Sequence, residues 1–142
     1  MIAIASDHGG YELRQKIMEH LDKRGDAYID CGCATPESCD YPDYARAACS
    51  RVISGECDRA ILICGTGIGI SISANKIPGI RAALCGDCFS ASATRLHNDA
   101  NALALGARVV GVDLALMIVD TFLDTPFSND ERHKRRISKI EG

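Results

Sequence analysis

The sequence lacks long apolar runs. Its 142 residues contain no uninterrupted apolar segment near the ~18 residues of a membrane span. The first apolar stretch, Ile2 to Ala5, meets Ser6 and Asp7 too soon to be the core of a signal peptide. We therefore expect no membrane segment and a cytoplasmic protein.

An excess of positive charge is also missing. Sixteen Lys and Arg residues stand against 19 Asp and Glu, a net charge of −3 that does not favour nucleic acid as a partner. Repeats, linkers and low-complexity segments are absent as well. With 46% hydrophobic residues, the chain is long enough for one substantial core but too short for two. We expect a single domain over residues 1–142.

Cysteine, by contrast, is abundant. A chain with this aliphatic content does not need disulfides, so we interpret the eight cysteines as reduced thiols. Cys85 to Cys88 has the C-x-x-C form of redox pairs and zinc sites, but no second C-x-x-C or histidine pair completes a tetrahedral set. A structural metal is the weaker alternative. We assign no functional role to Cys31, Cys33 and Cys39.

Strand-length apolar runs alternate with helical periodicity along the whole chain, which predicts an α/β fold. We expect a three-layer, Rossmann-like α/β/α domain with a five-stranded parallel sheet. The predicted strands cover residues 2–5, 27–30, 60–64, 80–84 and 102–105, with 108–110 continuing the last strand beyond Gly106. Ser128 and Glu131 stand at capping-box spacing and predict a final helix over about 128–140.

The strongest local motif is Cys-Gly-Thr-Gly-Ile-Gly-Ile-Ser at 64–71, between a predicted buried strand and a helix. Closely spaced glycines let backbone N–H groups converge, and the helix N-terminus adds positive charge, so the turn can hold a phosphate or an oxyanion. Cys64 at its mouth is either a base or nucleophile, or a small buried hydrophobic residue. A dinucleotide site fits less well, because the glycines follow the third strand rather than the first and are spaced G-x-G-x-G rather than G-x-G-x-x-G. Asp87 nevertheless lies at a suitable distance along the sequence for a ribose contact.

Three further segments carry polar chemistry. Asp7 and His8 follow the first strand, where they can bind an anion or hydroxyls, or simply cap a helix. His97, Asn98 and Asp99 can perform acid-base work or form an ordinary surface loop. Arg132 and Arg136 share one face of the final helix and can converge on a phosphate with Arg108, whereas such basic runs are commonly solvated.

In combination, the segments resemble the ribose-5-phosphate isomerase type B family and its allose-6-phosphate and galactose-6-phosphate isomerase relatives. They cover the chain in order: 6–10, 40–42, 64–71, 74–76, 79–82, 97–99, 106–111 and 132–133. The resemblance implies a metal-free, cofactor-free interconversion of aldose and ketose phosphates through a cis-enediolate. Ribose 5-phosphate and ribulose 5-phosphate are the default pair, and a six-carbon phosphate is the alternative. A non-catalytic nucleotide-binding module is the alternative of another class.

The same resemblance implies a role for each matched residue. Cys64 would be the base, His97 would open the sugar ring, and Thr66 would assist proton movement. The backbone from Gly65 to Gly69 would hold the enediolate through Gly65, Thr66, Gly67, Ile68 and Gly69. Asp7 and Asn98 would bind hydroxyls, and Tyr41 would lie near Cys64. The phosphate would be bound by His8, Arg108, Arg132 and Arg136. The family forms homodimers or homotetramers with shared sites, so the final helix would contact a partner subunit.

Overall fold

A computed structural model covers all 142 residues. Five strands alternate with helices: β1 (Ile2–Ser6), β2 (Tyr28–Asp30), β3 (Arg59–Cys64), β4 (Ala82–Leu84) and β5 (Ala102–Gly106). The helices are α1 (Tyr11–Arg24), α2 (Tyr41–Ile53), α3 (Ile68–Asn75), α4 (Cys88–Asn98), α5 (Val112–Asp124) and α6 (Glu131–Glu141), with one 3-10 turn at His8–Gly10. The predicted α/β/α fold is confirmed. No helix is both long and apolar enough to cross a membrane.

All five strands are parallel, in the order β2-β1-β3-β5-β4. The chain moves outward from β1 to β2 and then returns across β1 to β3. β1 and β3 therefore flank the point at which the winding direction reverses. In open α/β sheets, ligands bind beyond the carboxyl ends of the strands at such a point. Ser6 and Cys64, the last residues of these two strands, mark that place.

The two faces of the sheet differ in side-chain size. Isoleucine and leucine from β1, β3 and β5 point toward α1, α4 and α5, and form one cluster of 18 buried residues. On the opposite face the same strands present mostly alanine, with Leu62 and Cys64, to α2 and α3. Small side chains let a helix approach a sheet closely. The thiol of Cys64 therefore faces the layer formed by α2 and α3.

Two sequence expectations are wrong in their boundaries. Residues 108–110 do not continue the last strand, because β5 ends at Gly106 and the chain turns back toward β3. The final helix begins at Glu131 rather than near residue 128, because Asp130, not Ser128, is the N-cap and accepts the backbone N–H of Arg132 at 2.8 Å. Ser128 instead donates its hydroxyl to the carbonyl of Leu96 at 2.7 Å.

Candidate active site

A cavity of about 880 Å³ opens where the loops after β1 and β3 meet. The sequence motifs and the family resemblance together placed nine of the residues that line it in the site. These are Asp7, His8, Tyr41, Cys64, Gly65, Thr66, Ile68, Gly69 and Arg108. They come from four separate stretches of the chain, and the parallel sheet brings them together because each stretch follows a strand or begins a helix at the same edge.

The thiol of Cys64 lies at the inner end of this cavity. Its side chain is only 4% exposed, and its Sγ accepts the backbone N–H of Gly67 at 3.1 Å. A preorganised N–H donor stabilises negative charge that develops on the group it faces. The arrangement suits a sulfur that takes up and releases a proton. A cysteine that only filled space in the core would not need such a donor.

Gly67 gives the turn its shape. It is the N-cap of α3 with φ of +78°, in the left-handed region that glycine enters at little cost. A Cβ at this position would also come within 2.8 Å of the backbone carbonyl carbon of Leu105. Backbone conformation and space both require glycine, so the N–H that contacts Cys64 depends on this residue.

Replacing Gly67 with alanine should therefore destabilise the protein by about 3 kcal/mol, because left-handed strain of about 1–2 kcal/mol adds to a backbone clash of about 1–3 kcal/mol. Gly25→Ala is the matched control. Gly25 has the same φ of +78° but no atom within 4 Å of an added Cβ, so only the first cost, about 1 kcal/mol, is expected. Urea unfolding of both variants measures the difference. Equal losses would contradict the role of the clash.

Tyr41 and Arg108 form the walls on either side of the turn. A Cβ added at Gly69 would lie 2.6 Å from Cζ of Tyr41, so this ring rests directly against the start of α3. The backbone N–H of Arg108 donates to the carbonyl of Gly65 at 2.9 Å, and its guanidinium lies beside Gly65. A cation thus stands next to the glycine turn, which favours an anionic ligand.

Asp7 combines the two roles that the sequence left open. Its Oδ1 accepts the backbone N–H of Gly9 at 2.9 Å and of Gly10 at 3.3 Å, so the carboxylate caps the 3-10 turn. The same buried side chain lines the cavity. Capping fixes the direction of the carboxylate and so prepares it for a ligand hydroxyl.

His8 is oriented by a residue that sequence reasoning missed. The backbone N–H of Cys39 donates to Nδ1 of His8 at 3.2 Å. Because a peptide N–H can only donate, Nδ1 is the acceptor, and the neutral ring carries its proton on Nε2. His8 can therefore offer Nε2–H to an anion. No sequence pattern indicated Cys39, because the contact joins residues 31 positions apart in an irregular loop.

The remaining four predicted residues lie elsewhere on the chain. His97 and Asn98 are exposed in the last turn of α4. Arg132 and Arg136 are exposed on α6. None of the four lines the cavity that contains Cys64. Within a single chain, the structure therefore separates two groups of residues that the sequence placed in one site.

The alternatives based on C-x-x-C and on a ribose-binding aspartate lose support. Cys85 is buried, and this burial raises the pKa of its thiol to about 11, which makes it a poor nucleophile near neutral pH. Asp87 caps α4 by accepting the backbone N–H of Ser90 at 2.6 Å and its hydroxyl at 2.9 Å. These bonds hold the pKa of Asp87 below its ordinary value. Both residues have structural uses at the start of α4.

The fold and the cavity together define an α/β/α protein with a cavity that contains a thiol and an arginine at the reversal point of a parallel sheet. Its sequence matches the family model described as Ribose/Galactose Isomerase over residues 2–140. The chain belongs to this family and is a sugar-phosphate isomerase.

Individual relatives agree with this assignment. Ribose-5-phosphate isomerase B of Escherichia coli is 49% identical over 139 residues, covering 98% of this chain and 93% of the relative. The solved ribose-5-phosphate isomerase B of Clostridium thermocellum is 57% identical with a TM-score of 0.96, covering 99% and 94% of the two chains. The Thermotoga maritima structure is 51% identical with the same TM-score, covering 99% and 96%.

Proposed function

We propose that the protein interconverts D-ribose 5-phosphate and D-ribulose 5-phosphate through a cis-enediolate, with Cys64 as the base. The observation that carries the proposal is the thiol of Cys64, which accepts the N–H of Gly67 and lines the same cavity as Asp7, His8 and Arg108. Relatives that are named ribose-5-phosphate isomerase B and align over nearly the whole chain support this choice of substrate.

In the proposed reaction, Cys64 removes the proton from C2 of the open-chain aldose and returns it to C1. The negative charge that forms on the two oxygens is stabilised by backbone N–H groups between Gly65 and Gly69, in the manner of an oxyanion hole. The hydroxyl of Thr66, at the exposed rim of this turn, assists proton movement between O1 and O2. The protein groups named here supply every proton transfer, so the proposal includes no metal or cofactor.

Hydroxyl and phosphate groups would be bound by the polar residues around the cavity. Asp7 holds a hydroxyl through the carboxylate that already caps the 3-10 turn. His8 donates Nε2–H to the phosphate, and Arg108 adds a positive charge beside Gly65. These three residues stand on loops that follow β1 and β5, on either side of β3.

A second copy of the chain would complete the site. His97 gives and accepts protons at the ring oxygen and anomeric hydroxyl, Asn98 binds a hydroxyl, and Arg132 with Arg136 binds the phosphate. All four side chains are exposed and lie outside the cavity of their own chain, as expected for residues that enter the cavity of a partner. We therefore propose a homodimer or homotetramer with shared active sites, in which α6 contacts the partner subunit.

The test is an isomerisation assay with purified protein and a metal chelator. We expect ketose to form from ribose 5-phosphate, and more slowly from allose 6-phosphate. Turnover of neither aldose would overturn the proposed function, and nucleotide binding in its place would favour the non-catalytic alternative. Faster turnover of allose 6-phosphate would transfer the assignment to a six-carbon substrate. Loss of activity with chelator alone would contradict only the metal-free mechanism.

A further inference from the structure

Helix α6 contains one buried side chain, and it is a histidine. His133 is 8% exposed, whereas the rest of the helix is exposed or half-buried. The most deeply buried position of a polar surface helix is ordinarily filled by an aliphatic residue, because this position serves only for packing. A histidine there suggests that the group on which it packs needs a flat ring.

That group is His97. The two imidazole rings are stacked, with centroids 4.5 Å apart and an angle of 26° between their planes. His97 itself is exposed. One face of its ring is therefore covered by His133, while its edges and nitrogens remain free to meet a ligand. The stack removes much of the rotational freedom that an exposed histidine at a helix end would otherwise have.

The helix that carries His133 is attached near one end to α4 and at the other to Arg81, the residue before β4. Before α6, Ser128 donates its hydroxyl to the carbonyl of Leu96, next to His97. At the last residue of the helix, Glu141 accepts from Nη1 of Arg81 at 3.0 Å. His133 therefore has a fixed support from which to hold His97. Arg132 and Arg136, on the same helix, share that support.

We propose that His133 is a positioning residue that holds the ring of His97 in the orientation required for opening the sugar ring. This inference rests on the proposed function, because it presumes that His97 acts on a cyclic substrate. It assigns to His133 no contact with the substrate. It also makes the acid-base group and the phosphate-binding arginines parts of one rigid unit, which would enter the partner's cavity together.

The charges around His133 are compatible with this role. Its own helix presents Asp130, Arg132 and Arg136, and α4 presents His97. Burial lowers the pKa of His133, and the positive charges of His97, Arg132 and Arg136 lower it further, against the opposing effect of Asp130. A lowered pKa disfavours a positive charge on His133, which is compatible with its close stack on the ring of His97.

The experiment compares two variants on two substrates. His133→Ala removes the ring, whereas His133→Phe keeps a flat ring without titratable nitrogens. The substrates are ribose 5-phosphate, which is mostly a furanose, and 4-deoxyribose 5-phosphate, which lacks the hydroxyl that closes the ring. A misplaced acid-base group can cost about 10²-fold. We expect His133→Ala to lose about that much kcat/KM on the cyclic substrate only, and His133→Phe to recover most of it.

Equal losses of His133→Ala on both substrates would overturn the proposal, as would a His133→Phe variant no better than His133→Ala. Histidine NMR of the assembled protein gives a readout that does not need turnover. Loss of the ring-current shift of His97 is expected in His133→Ala, and its retention in His133→Phe. An unchanged His97 resonance in both would also overturn the proposal. A wild-type protein without turnover would instead refute the proposed function.

Discussion

Replacement of Cys64 by alanine should reduce isomerase turnover by about 10⁴-fold, the upper range for removal of a positioned acid-base group. The fold should survive, because the change removes only the sulfur atom at the end of β3 and the single hydrogen bond that it accepts from Gly67. Binding of ribulose 5-phosphate should also survive, because no phosphate contact is altered. Steady-state kinetics and calorimetric titration measure the two properties separately.

Cys49→Ala is the matched control for this variant. Cys49 is fully buried on the same face of the sheet, but it lies on α2 and does not line the cavity. Burial raises the pKa of its thiol to about 12, so it takes no part in proton transfer near neutral pH. We expect its turnover to remain near that of the wild type. Near-normal turnover of Cys64→Ala would place the base at another residue.

Mixing two inactive variants should restore activity if each site contains residues of two chains. We expect Cys64→Ala and His97→Asn each to lose turnover alone. A dimer with one chain of each kind contains one site with both native residues and one site with neither. Random pairing makes half of the dimers mixed, so about a quarter of wild-type activity should return. Coexpression followed by an assay of the purified mixture measures it.

The control for complementation pairs Cys64→Ala with the double variant Cys64→Ala/His97→Asn. No combination of these chains contains a native Cys64, so no activity should appear. If the Cys64→Ala and His97→Asn mixture remained as inactive as this control, while both variants assembled normally, the shared site would be refuted. His97 and Cys64 would then have to act within one chain, which their separation in the structure does not favour.

Local sequence patterns predicted most strands and helices of this fold, because the residues that begin and end these elements lie within the elements or next to them. Gly25 ends α1 in the left-handed conformation, and Pro42 stands in the first turn of α2, as their residue types indicate. The strand expected at 108–110 is absent for a nonlocal reason. The N–H groups of Ala107 and Arg108 donate to the carbonyls of Cys64 and Gly65, at the end of β3 and more than 40 residues away in the sequence.

The candidate site was also predictable in part from the sequence. Motif positions and the family resemblance gave nine of the cavity residues, and parallel strands bring most of them together at their carboxyl ends. Cys39, which orients His8, and His133, which covers His97, act through contacts across 31 and 36 positions, and neither has a periodic pattern that would reveal it. The separation of His97 from Cys64 depends on the arrangement of α4 in space, which residue order alone does not determine.

The unequal faces of the sheet have a consequence for the adaptability of the protein. On the side of α1 and α5, large aliphatic side chains can exchange volume with one another, so that drift or design can repack this layer at little cost. On the other side, β1, β3 and β5 present mostly alanines, which cannot be made smaller to compensate for a larger neighbour. A larger residue there would push α2 and α3 outward, and with them Tyr41 and the Gly67 amide. Mutational freedom is therefore concentrated on the layer farthest from the thiol.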